Sequence, residues 1–390
     1  MTSVLFYIDA AEFGGHEAMT LVAIRCLSQR DDLAISVIFY EGNVRLGAGL
    51  TNLAHETRNL TLLPFKFKSK SLQAFRSLIS FRTVEYLKHL INEVNPSVVL
   101  VAQGRIESGS IGLLAAKRAG FRTVSYLPMA HPLSVSGKPV ALWLRKLVNG
   151  YFYRLPDQFI TINESARCML LEQGARDVLV VPNGIEVTPV LRSDRERFRQ
   201  NHNIGKEEYL VGVIGRIDFR QKGQDFALQA IRAFRNRLDA YRFVFIGEGP
   251  DTKKLKAMIA QANLSQCVQV LPWCHHPEKA YAGLDMLLIP SKFEGVPLVM
   301  LEAMAHKLPI VASNTDAMAE LLPQCWLFPF GDHHALVDRL IQVRHTNTSP
   351  LLESHRKQIT EQFTTDKFCT SMTAAILGQT AVAVSVCGRR

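Results

Sequence analysis

The chain lacks any long apolar run and any closely spaced pair of cysteines. Its longest apolar runs are short (98–102, 287–290 and 381–384), whereas a membrane-spanning helix needs roughly 20 residues. The seven cysteines form no C-x-x-C pair, which argues against a disulfide framework or a zinc site and predicts reduced thiols in the cytosol. The first apolar run, 4–8, has no basic residue before it, and Asp9 follows directly. We therefore expect a first strand there and no signal peptide.

The chain also has a small share of acidic residues in one block of its N-terminal half. Residues 58–154 hold 15 Lys and Arg but only three acids, a net charge of +12, although the whole chain carries +10. Such a block suits an anionic partner such as a membrane surface, a phosphorylated substrate or nucleic acid. No nucleic-acid-binding motif accompanies it, so we expect no nucleic-acid partner.

Short β-branched runs alternate with amphipathic helical stretches in both halves of the 390 residues. The pattern predicts strands at 4–8, 34–40, 97–102, 122–127, 158–162 and 178–181, and then at 210–214, 242–246, 268–271, 286–289 and 309–312. It predicts helices at 16–29, 71–94, 108–119, 222–238, 251–262, 297–307 and 332–344. Strands that are apolar on both faces and separated by helices indicate parallel sheets in an α/β fold.

The length fits two domains, each a Rossmann-like βαβ domain, which we expect to face each other across a deep interdomain cleft. The boundary is expected near the turn residues Pro182, Asn183 and Gly184. We predict an acceptor-binding domain over 1–185, a nucleotide-sugar donor domain over 186–365, and a tail, 366–390, that packs back toward the N-terminal domain.

The most informative motif is P-S-x-x-E-G-x-P-L-x-x-x-E-A-M-A over 290–305. It follows a buried strand, turns at Gly295 and enters a helix near Pro297. Free amides at such a helix start, around Leu298 and Val299, can hold a phosphate. Glu302 lies inside this helix, where it either faces water or needs a strong partner.

Two further glycine-containing turns follow strands. In 212–223, Arg216 and Lys222 could clamp a diphosphate, although two solvated basic residues are the alternative. Gly14-Gly15 follows the first strand and either approaches a phosphate or forms a plain strand-to-helix turn. The turn 247–250 is similar. No Walker A sequence and no complete G-x-G-x-x-G occurs, which disfavours an NTPase or a dinucleotide oxidoreductase.

Together these motifs resemble the retaining glycosyltransferases of family four, glycosyl transferases group 1, which have the GT-B fold. Glu294 and Glu302 look like the E-x7-E pair of that family, and Gly215-Arg216 with Lys222-Gly223 looks like its donor clamp. The turn 247–250 matches G-x-G-P, and 181–185 resembles the hinge P-N-G-[IV].

The resemblance implies a role for each matching residue. Glu302 would bind the ribose hydroxyls of a nucleotide-sugar, and Glu294 would hold hydroxyls of the transferred sugar. Arg216 and Lys222 would stabilise the charge on the leaving diphosphate. Trp273 lies in the stretch that contacts the base, and His131 is the candidate for a histidine near the sugar, with a structural loop histidine as the alternative. The resemblance implies no metal ion and no cofactor.

The same resemblance implies a metal-independent retaining transferase (EC 2.4) that moves a sugar from a UDP- or GDP-sugar to a glycan acceptor, lipid-linked, in cell-surface polysaccharide or glycolipid biosynthesis. Two alternatives stay open: a nucleotide-sugar 2-epimerase of the same fold, and a catalytically inactive nucleotide-sugar-binding subunit. Both alternatives would bind a nucleotide-sugar, but neither would transfer the sugar to an acceptor.

Basic and aromatic residues occur together in two segments of the N-terminal half. One runs from 63 to 82 and includes Lys66, Lys68, Lys70 and Arg76. The second contains Trp143, Arg145, Lys146, Tyr151, Phe152 and Arg154. This composition is typical of segments that lie in a membrane interface, although core helices with basic outer faces are the alternative. We therefore expect a cytoplasmic protein bound peripherally to the anionic cytoplasmic face of a membrane.

Overall fold

The computed structural model of the chain describes residues 1–70, 72–129, 139–273 and 277–379. These residues form two compact units. Unit 1 holds Met1–Gly184 and, of the C-terminal segment, 365–379, whereas unit 2 holds Ile185–Thr364. The chain therefore leaves unit 1 after Gly184 and returns to it after Thr364.

Unit 1 is built on a parallel sheet of seven strands in the order β3-β2-β1-β4-β5-β6-β7. The strands are β1 (Thr2–Ile8), β2 (Leu33–Tyr40), β3 (Leu60–Phe65), β4 (Val98–Ala102), β5 (Thr123–Tyr126), β6 (Gln158–Thr161) and β7 (Val178–Val180). The helices are α1 (Gly15–Ser28), α2 (Val44–Glu56), α3 (Gln73–Ile79), α4 (Phe81–Val94), α5 (Ser110–Arg118), α6 (Pro139–Arg154) and α7 (Glu164–Glu172). The central strands β1 and β4 are buried on both faces, as the continuous apolar runs predict.

Unit 2 contains a second parallel sheet, of six strands in the order β10-β9-β8-β11-β12-β13. The strands are β8 (Tyr209–Ile214), β9 (Tyr241–Ile246), β10 (Val268–Leu271), β11 (Met286–Ile289), β12 (Ile310–Ser313) and β13 (Leu327–Phe328). The helices are α8 (Arg192–Asn201), α9 (Phe219–Lys222), α10 (Gln224–Ala233), α11 (Thr252–Gln261), α12 (Pro277–Gly283), α13 (Leu298–Ala305), α14 (Asp316–Leu321), α15 (His333–His345) and α16 (Ser349–Gln362), with 3₁₀ turns at Arg235–Arg237 and Gln324–Trp326.

Both sheets begin with the strand order 3-2-1-4-5-6 of a doubly wound fold, so the predicted α/β architecture with two Rossmann-like domains is confirmed. The chain order reverses between β1 and β4 in unit 1 and between β8 and β11 in unit 2. In such sheets ligands bind at the carboxyl ends of the strands beside this reversal. A ligand site is therefore expected at each of these two points.

Several local predictions were wrong. The strand β3 was not predicted, and its last residues lie in the segment that was assigned to a membrane interface. The predicted helix 71–94 is two helices, α3 and α4, which separate at Ser80, whose ψ of 52° is not helical. Lys222 was placed at a helix start, but it is the last residue of the short helix α9.

The last described helix, α17 (Thr365–Leu377), belongs to unit 1 and packs along α1. Cys26 of α1 and Cys369 of α17 form a disulfide with a Cα–Cα distance of 5.6 Å. The guanidinium of Arg122 also donates a hydrogen bond to the carbonyl oxygen of Ile376 (2.5 Å). The prediction that all cysteines are reduced is thus wrong for this pair, because spacing in sequence cannot show a contact between residues 343 apart.

Candidate active site

The predicted cations of unit 2 follow β8, the first strand at the reversal point. Gly215 ends the strand with φ of 139°, and Arg216 follows it. The Arg216 guanidinium lies 3.2 Å from the Asp218 carboxylate and donates to the Gln221 side-chain oxygen at 3.3 Å. Asp218 is buried and caps α9 by accepting a hydrogen bond from the Arg220 amide. These contacts hold a partly exposed guanidinium at the carboxyl end of the sheet.

Lys222 and Glu294 meet across the reversal point. The Lys222 Nζ atom lies 2.6 Å from Glu294 Oε1, and the Glu294 side chain is only 6% exposed. The Glu294 amide donates to the Asp316 carboxylate at 2.7 Å, so the loop that carries this carboxylate is itself fixed. Lys222 follows β8 and Glu294 follows β11, so the pairing of β8 with β11 brings them together. A cation and a carboxylate in this position can contact a diphosphate and sugar hydroxyls respectively.

The loops around these residues pack backbone against backbone. A Cβ atom added to Gly247 would lie 2.0 Å from the Gly215 carbonyl oxygen, and one added to Gly249 would lie 2.3 Å from the Ile217 carbonyl oxygen. The Ile217 amide in turn donates to the Glu248 carbonyl oxygen at 3.0 Å. The turn 247–250 therefore supports the loop that carries Arg216, because only glycine permits so close an approach.

The helix α13 begins beside the same point. Gly295 lies in the turn before it, Pro297 is its N-cap residue, and Leu298 and Val299 are its first two residues. Amides in the first turn of a helix have no acceptor within that helix, which makes this end suitable for a phosphate.

Glu302 lies one turn further along α13 and is half-buried. It accepts a hydrogen bond from the hydroxyl of Tyr281, a residue that is 2% exposed. Burial raises the pKa of the Glu302 carboxyl, and the bond from Tyr281 opposes that rise. Tyr281 was missed because its contact with Glu302, 21 residues away, depends on how α12 packs on α13.

In unit 1 the glycine pair follows β1. Gly14 is the N-cap of α1, Gly15 is its first residue, and the Gly14 amide donates to the Glu17 carboxylate at 2.8 Å.

Asp9, at the end of β1, is 1% exposed and accepts a hydrogen bond from the Gly109 amide at 3.0 Å, so it links the end of β1 to the loop after β4. Burial raises the pKa of Asp9 to about 7. In the sequence Asp9 only marks the end of the first apolar run, and that pattern does not predict its burial.

The remaining predicted site residues are His131 and Trp273. His131 lies outside the described residues. Trp273 follows β10 and is partly exposed. Within the described part of the chain, no group of three His, Cys, Asp or Glu side chains could hold a metal ion. Over the same residues, no helix has the length and apolar character to cross a membrane.

Comparison with known proteins finds a family match within unit 2. The family model "Glycosyl transferases group 1" matches residues 208–345, the part of unit 2 that carries Arg216, Lys222, Glu294 and Glu302. The O-antigen biosynthesis glycosyltransferase WclY of Escherichia coli is 24% identical over 192 residues, which is 49% of this chain and 53% of WclY. The alpha-monoglucosyldiacylglycerol synthase of Acholeplasma laidlawii is 24% identical over 335 residues, 77% of this chain and 83% of that protein.

Among solved structures, Anabaena HepE in complex with UDP and glucose is similar over 97% of this chain and 100% of that one, with a TM-score of 0.78 and 16% identity. The chain has the GT-B fold, as the motifs predicted, and its residues 208–345 match the group 1 family of glycosyltransferases. The chain spans about half the length of curated relatives that it matches, such as WclY.

Proposed function

We propose that the protein is a retaining glycosyltransferase that moves a sugar from a nucleoside-diphosphate sugar to a glycan or glycolipid acceptor without a metal ion. The observation that carries the proposal is the contact between Lys222 and Glu294 at the reversal point of the unit 2 sheet, with Arg216 beside it. Cations at this place suit a leaving diphosphate, and a buried carboxylate suits sugar hydroxyls.

The proposed roles are those that the resemblance to the family implies, and the contacts described above support them. Arg216 and Lys222 stabilise the negative charge that grows on the diphosphate as the bond to the sugar breaks. The first amides of α13, at Leu298 and Val299, bind phosphate oxygens. Glu294 holds the sugar and Glu302 the ribose. The acceptor attacks from the face of the leaving group, and the diphosphate takes the acceptor's proton, so the anomeric configuration is retained.

The relatives' names support an acceptor of the cell surface. WclY is named for O-antigen biosynthesis, and the Acholeplasma protein is named for making a glucosylated diacylglycerol. HepE was solved with UDP and glucose, which supports a nucleotide-sugar donor. We propose that this chain uses a donor of the same class and an acceptor that is lipid-linked.

The test measures transfer in EDTA with labelled UDP-glucose, UDP-galactose, UDP-N-acetylglucosamine and GDP-mannose. Vesicles of anionic phospholipid carry either diacylglycerol or a polyprenyl-diphosphate-linked sugar as the acceptor, and proton NMR gives the anomeric configuration. We expect transfer with retention, lost in Glu294→Gln and kept in the matched surface change Glu196→Gln on α8. Sugar interconversion without an acceptor would identify an epimerase, and nucleotide binding without turnover an inactive subunit.

We further propose that unit 1 binds an anionic membrane surface on its cytoplasmic side. In α3 the polar residues Gln73 and Ser77 are buried and bonded to each other, while Phe75 and Ile79 are 40% and 71% exposed. In α6, Trp143 is exposed, as are Leu147 and Tyr151, one and two turns further on, so they lie on one helical face. Helices that turn apolar residues outward beside basic ones suit a membrane interface.

Some aromatic residues of the two predicted membrane segments do not have this role. Phe65 and Phe67 pack against the core of unit 1, and Phe152 is fully buried. Lys66, Lys68 and Lys70 alternate with them and are exposed. Reversing these three charges and that of Arg76 to Glu should weaken sedimentation with phosphatidylglycerol vesicles. Vesicle binding of this variant equal to that of wild type in low salt would contradict the proposal.

A further inference from the structure

A buried tyrosine holds the carboxylate assigned to the ribose. Tyr281 donates its hydroxyl hydrogen to Glu302 Oε2. Among the described residues, no other side chain donates a hydrogen bond to this carboxylate, so its second oxygen remains available for a ligand. A glutamate on a helix can adopt several rotamers, and a hydrogen bond to one oxygen selects among them.

Tyr281 is itself held firmly. Its ring is 2% exposed and lies nearly parallel to the ring of His306, with 5.4 Å between the ring centroids and 17° between the planes. His306 follows α13 one turn after Glu302, and its amide donates to the Glu302 carbonyl oxygen at 3.0 Å. Both rings and the carboxylate therefore form one packed group at the end of α13.

The ionisation states suit this arrangement. Burial raises the pKa of Tyr281 well above its ordinary value, and the neighbouring Glu302 raises it further, so the phenol stays a hydrogen-bond donor. Burial raises the pKa of Glu302, and the bond from Tyr281 opposes part of that rise and so favours the ionised carboxylate. An ionised carboxylate can accept hydrogen bonds from two ribose hydroxyls, whereas a protonated one loses part of that capacity.

We propose that Tyr281 is a positioning residue that fixes Glu302 for the ribose hydroxyls and so makes the donor site selective for ribonucleotides over 2′-deoxyribonucleotides. This inference rests on the proposed function, because it takes Glu302 as the ribose ligand. It narrows the donor class to sugars carried by a ribonucleoside diphosphate such as UDP or GDP, and it excludes those carried by dTDP.

The test compares the binding of UDP with that of 2′-deoxy-UDP by titration calorimetry on the full-length protein. In wild type, loss of the 2′-hydroxyl should weaken binding about tenfold or more, the size of one hydrogen bond to a charged group. In Tyr281→Phe the ring and its packing remain, but Glu302 is no longer fixed. The ratio of the two dissociation constants should therefore fall to about two or three, mainly through weaker UDP binding.

Tyr241→Phe is the matched control, because Tyr241 is a buried tyrosine of unit 2 whose hydroxyl bonds to the Leu340 carbonyl oxygen instead. It should keep the wild-type ratio. With a sugar donor, Tyr281→Phe should raise KM and leave kcat nearly unchanged, because the ribose is remote from the reacting bond.

Three results are decisive. A wild-type ratio in Tyr281→Phe, or no discrimination by wild type that binds UDP, overturns the positioning role while leaving the proposed function intact. If wild type binds neither UDP nor GDP, both the proposed function and this inference are contradicted. The wild-type ratio needs no variant, so it tests the selectivity even if Tyr281→Phe does not fold.

Discussion

At the scale of single residues, the proposed donor site of unit 2 contains an ion pair between two of its own side chains, Lys222 and Glu294. The Lys222 Nζ atom is 2.6 Å from Glu294 Oε1, and the Lys222 side chain is 21% exposed. A diphosphate that binds Lys222 must therefore compete with Glu294 for this cation. In the proposed mechanism the Glu294 carboxylate binds the sugar, and it opposes the binding of a nucleotide that has lost its sugar.

Glu294→Gln should therefore separate product binding from catalysis. Without the carboxylate, Lys222 is released to the diphosphate, and UDP should bind roughly three- to tenfold more tightly, in line with a single charge interaction of about 1 kcal/mol near a protein surface. Transfer should fall by about a hundredfold or more. Titration calorimetry with UDP and initial rates measure the two effects. UDP affinity equal to that of Glu196→Gln would contradict the competition.

Asp9 should make the stability of unit 1 depend on pH. Its pKa is raised by burial from 3.8 to about 7, so the folded state holds a proton between these values that the unfolded state has lost. Stability should consequently fall as pH rises from about 4 to about 7. Asp9→Asn should remove this contribution, so that the variant becomes more stable than wild type at pH 7, by a few kcal/mol at most.

Urea unfolding at a series of pH values checks this expectation. The difference between Asp9→Asn and wild type should be small near pH 4 and grow toward pH 7. Asp31→Asn, a change at an exposed position of the same unit, should follow the wild-type curve. A difference that does not vary with pH would mean that Asp9 is ionised in the folded protein throughout this range.

At the scale of elements, the sequence predicts the central strands and the edge strands β7 and β10, but it misses the edge strands β3 and β13. Central strands such as β4 are apolar throughout because both faces are covered, so the run itself is the signal. The edge strand β3 contains Pro64 and has only partly buried and exposed residues, so its pattern resembles a loop. The break between α3 and α4 carries no glycine or proline and could not be located either.

The site shows the same division. The motifs that resemble the family predict Lys222, Glu294 and Glu302 as site residues, and the structure brings Lys222 and Glu294 into contact. It could not find Tyr281 or the carboxylate of Asp316, since their contacts depend on how helices and loops of unit 2 pack together. The residues proposed to contact a ligand are thus predictable from sequence motifs, and the residues that hold them in place are not.

The turn between α9 and α10 offers a test of how the loops position the site. Gly223 has φ of 63°, and a Cβ atom there would lie 2.0 Å from the Pro290 carbonyl oxygen. Gly331 also has a positive φ, 98°, but nothing lies within 4 Å of its Cβ position. Gly223→Ala should therefore cost about 2–3 kcal/mol of stability through overpacking, against about 1–2 kcal/mol for backbone strain alone in Gly331→Ala.

Gly223→Ala should also weaken UDP binding, because its neighbour Lys222 moves with the turn, whereas Gly331→Ala should bind UDP as wild type does. Urea midpoints and calorimetry report both effects. Equal losses of stability and affinity in the two variants would show that the close approach to Pro290 does not position Lys222.

At the scale of the whole molecule, the chain is not a simple succession of two domains. It returns to unit 1 through α17 after completing unit 2, so the first and last described helices of the chain, α1 and α17, pack together. The disulfide between Cys26 and Cys369 closes this contact covalently. A cross-link between residues so far apart in sequence restricts the unfolded chain, and such bonds typically contribute about 2–4 kcal/mol.

We therefore expect that α17 is anchored to unit 1 in protein purified without a reductant. Tryptic digestion without reduction should yield one cross-linked pair of peptides that contain Cys26 and Cys369, detected by mass spectrometry. Cys369→Ser should lower the thermal midpoint and let limited proteolysis remove α17, whereas Cys325→Ser, at an exposed free thiol of unit 2, should change neither. If both thiols were alkylated in the unreduced native protein, only packing and the hydrogen bonds of Arg122 would hold the helix, and Cys369→Ser would match wild type.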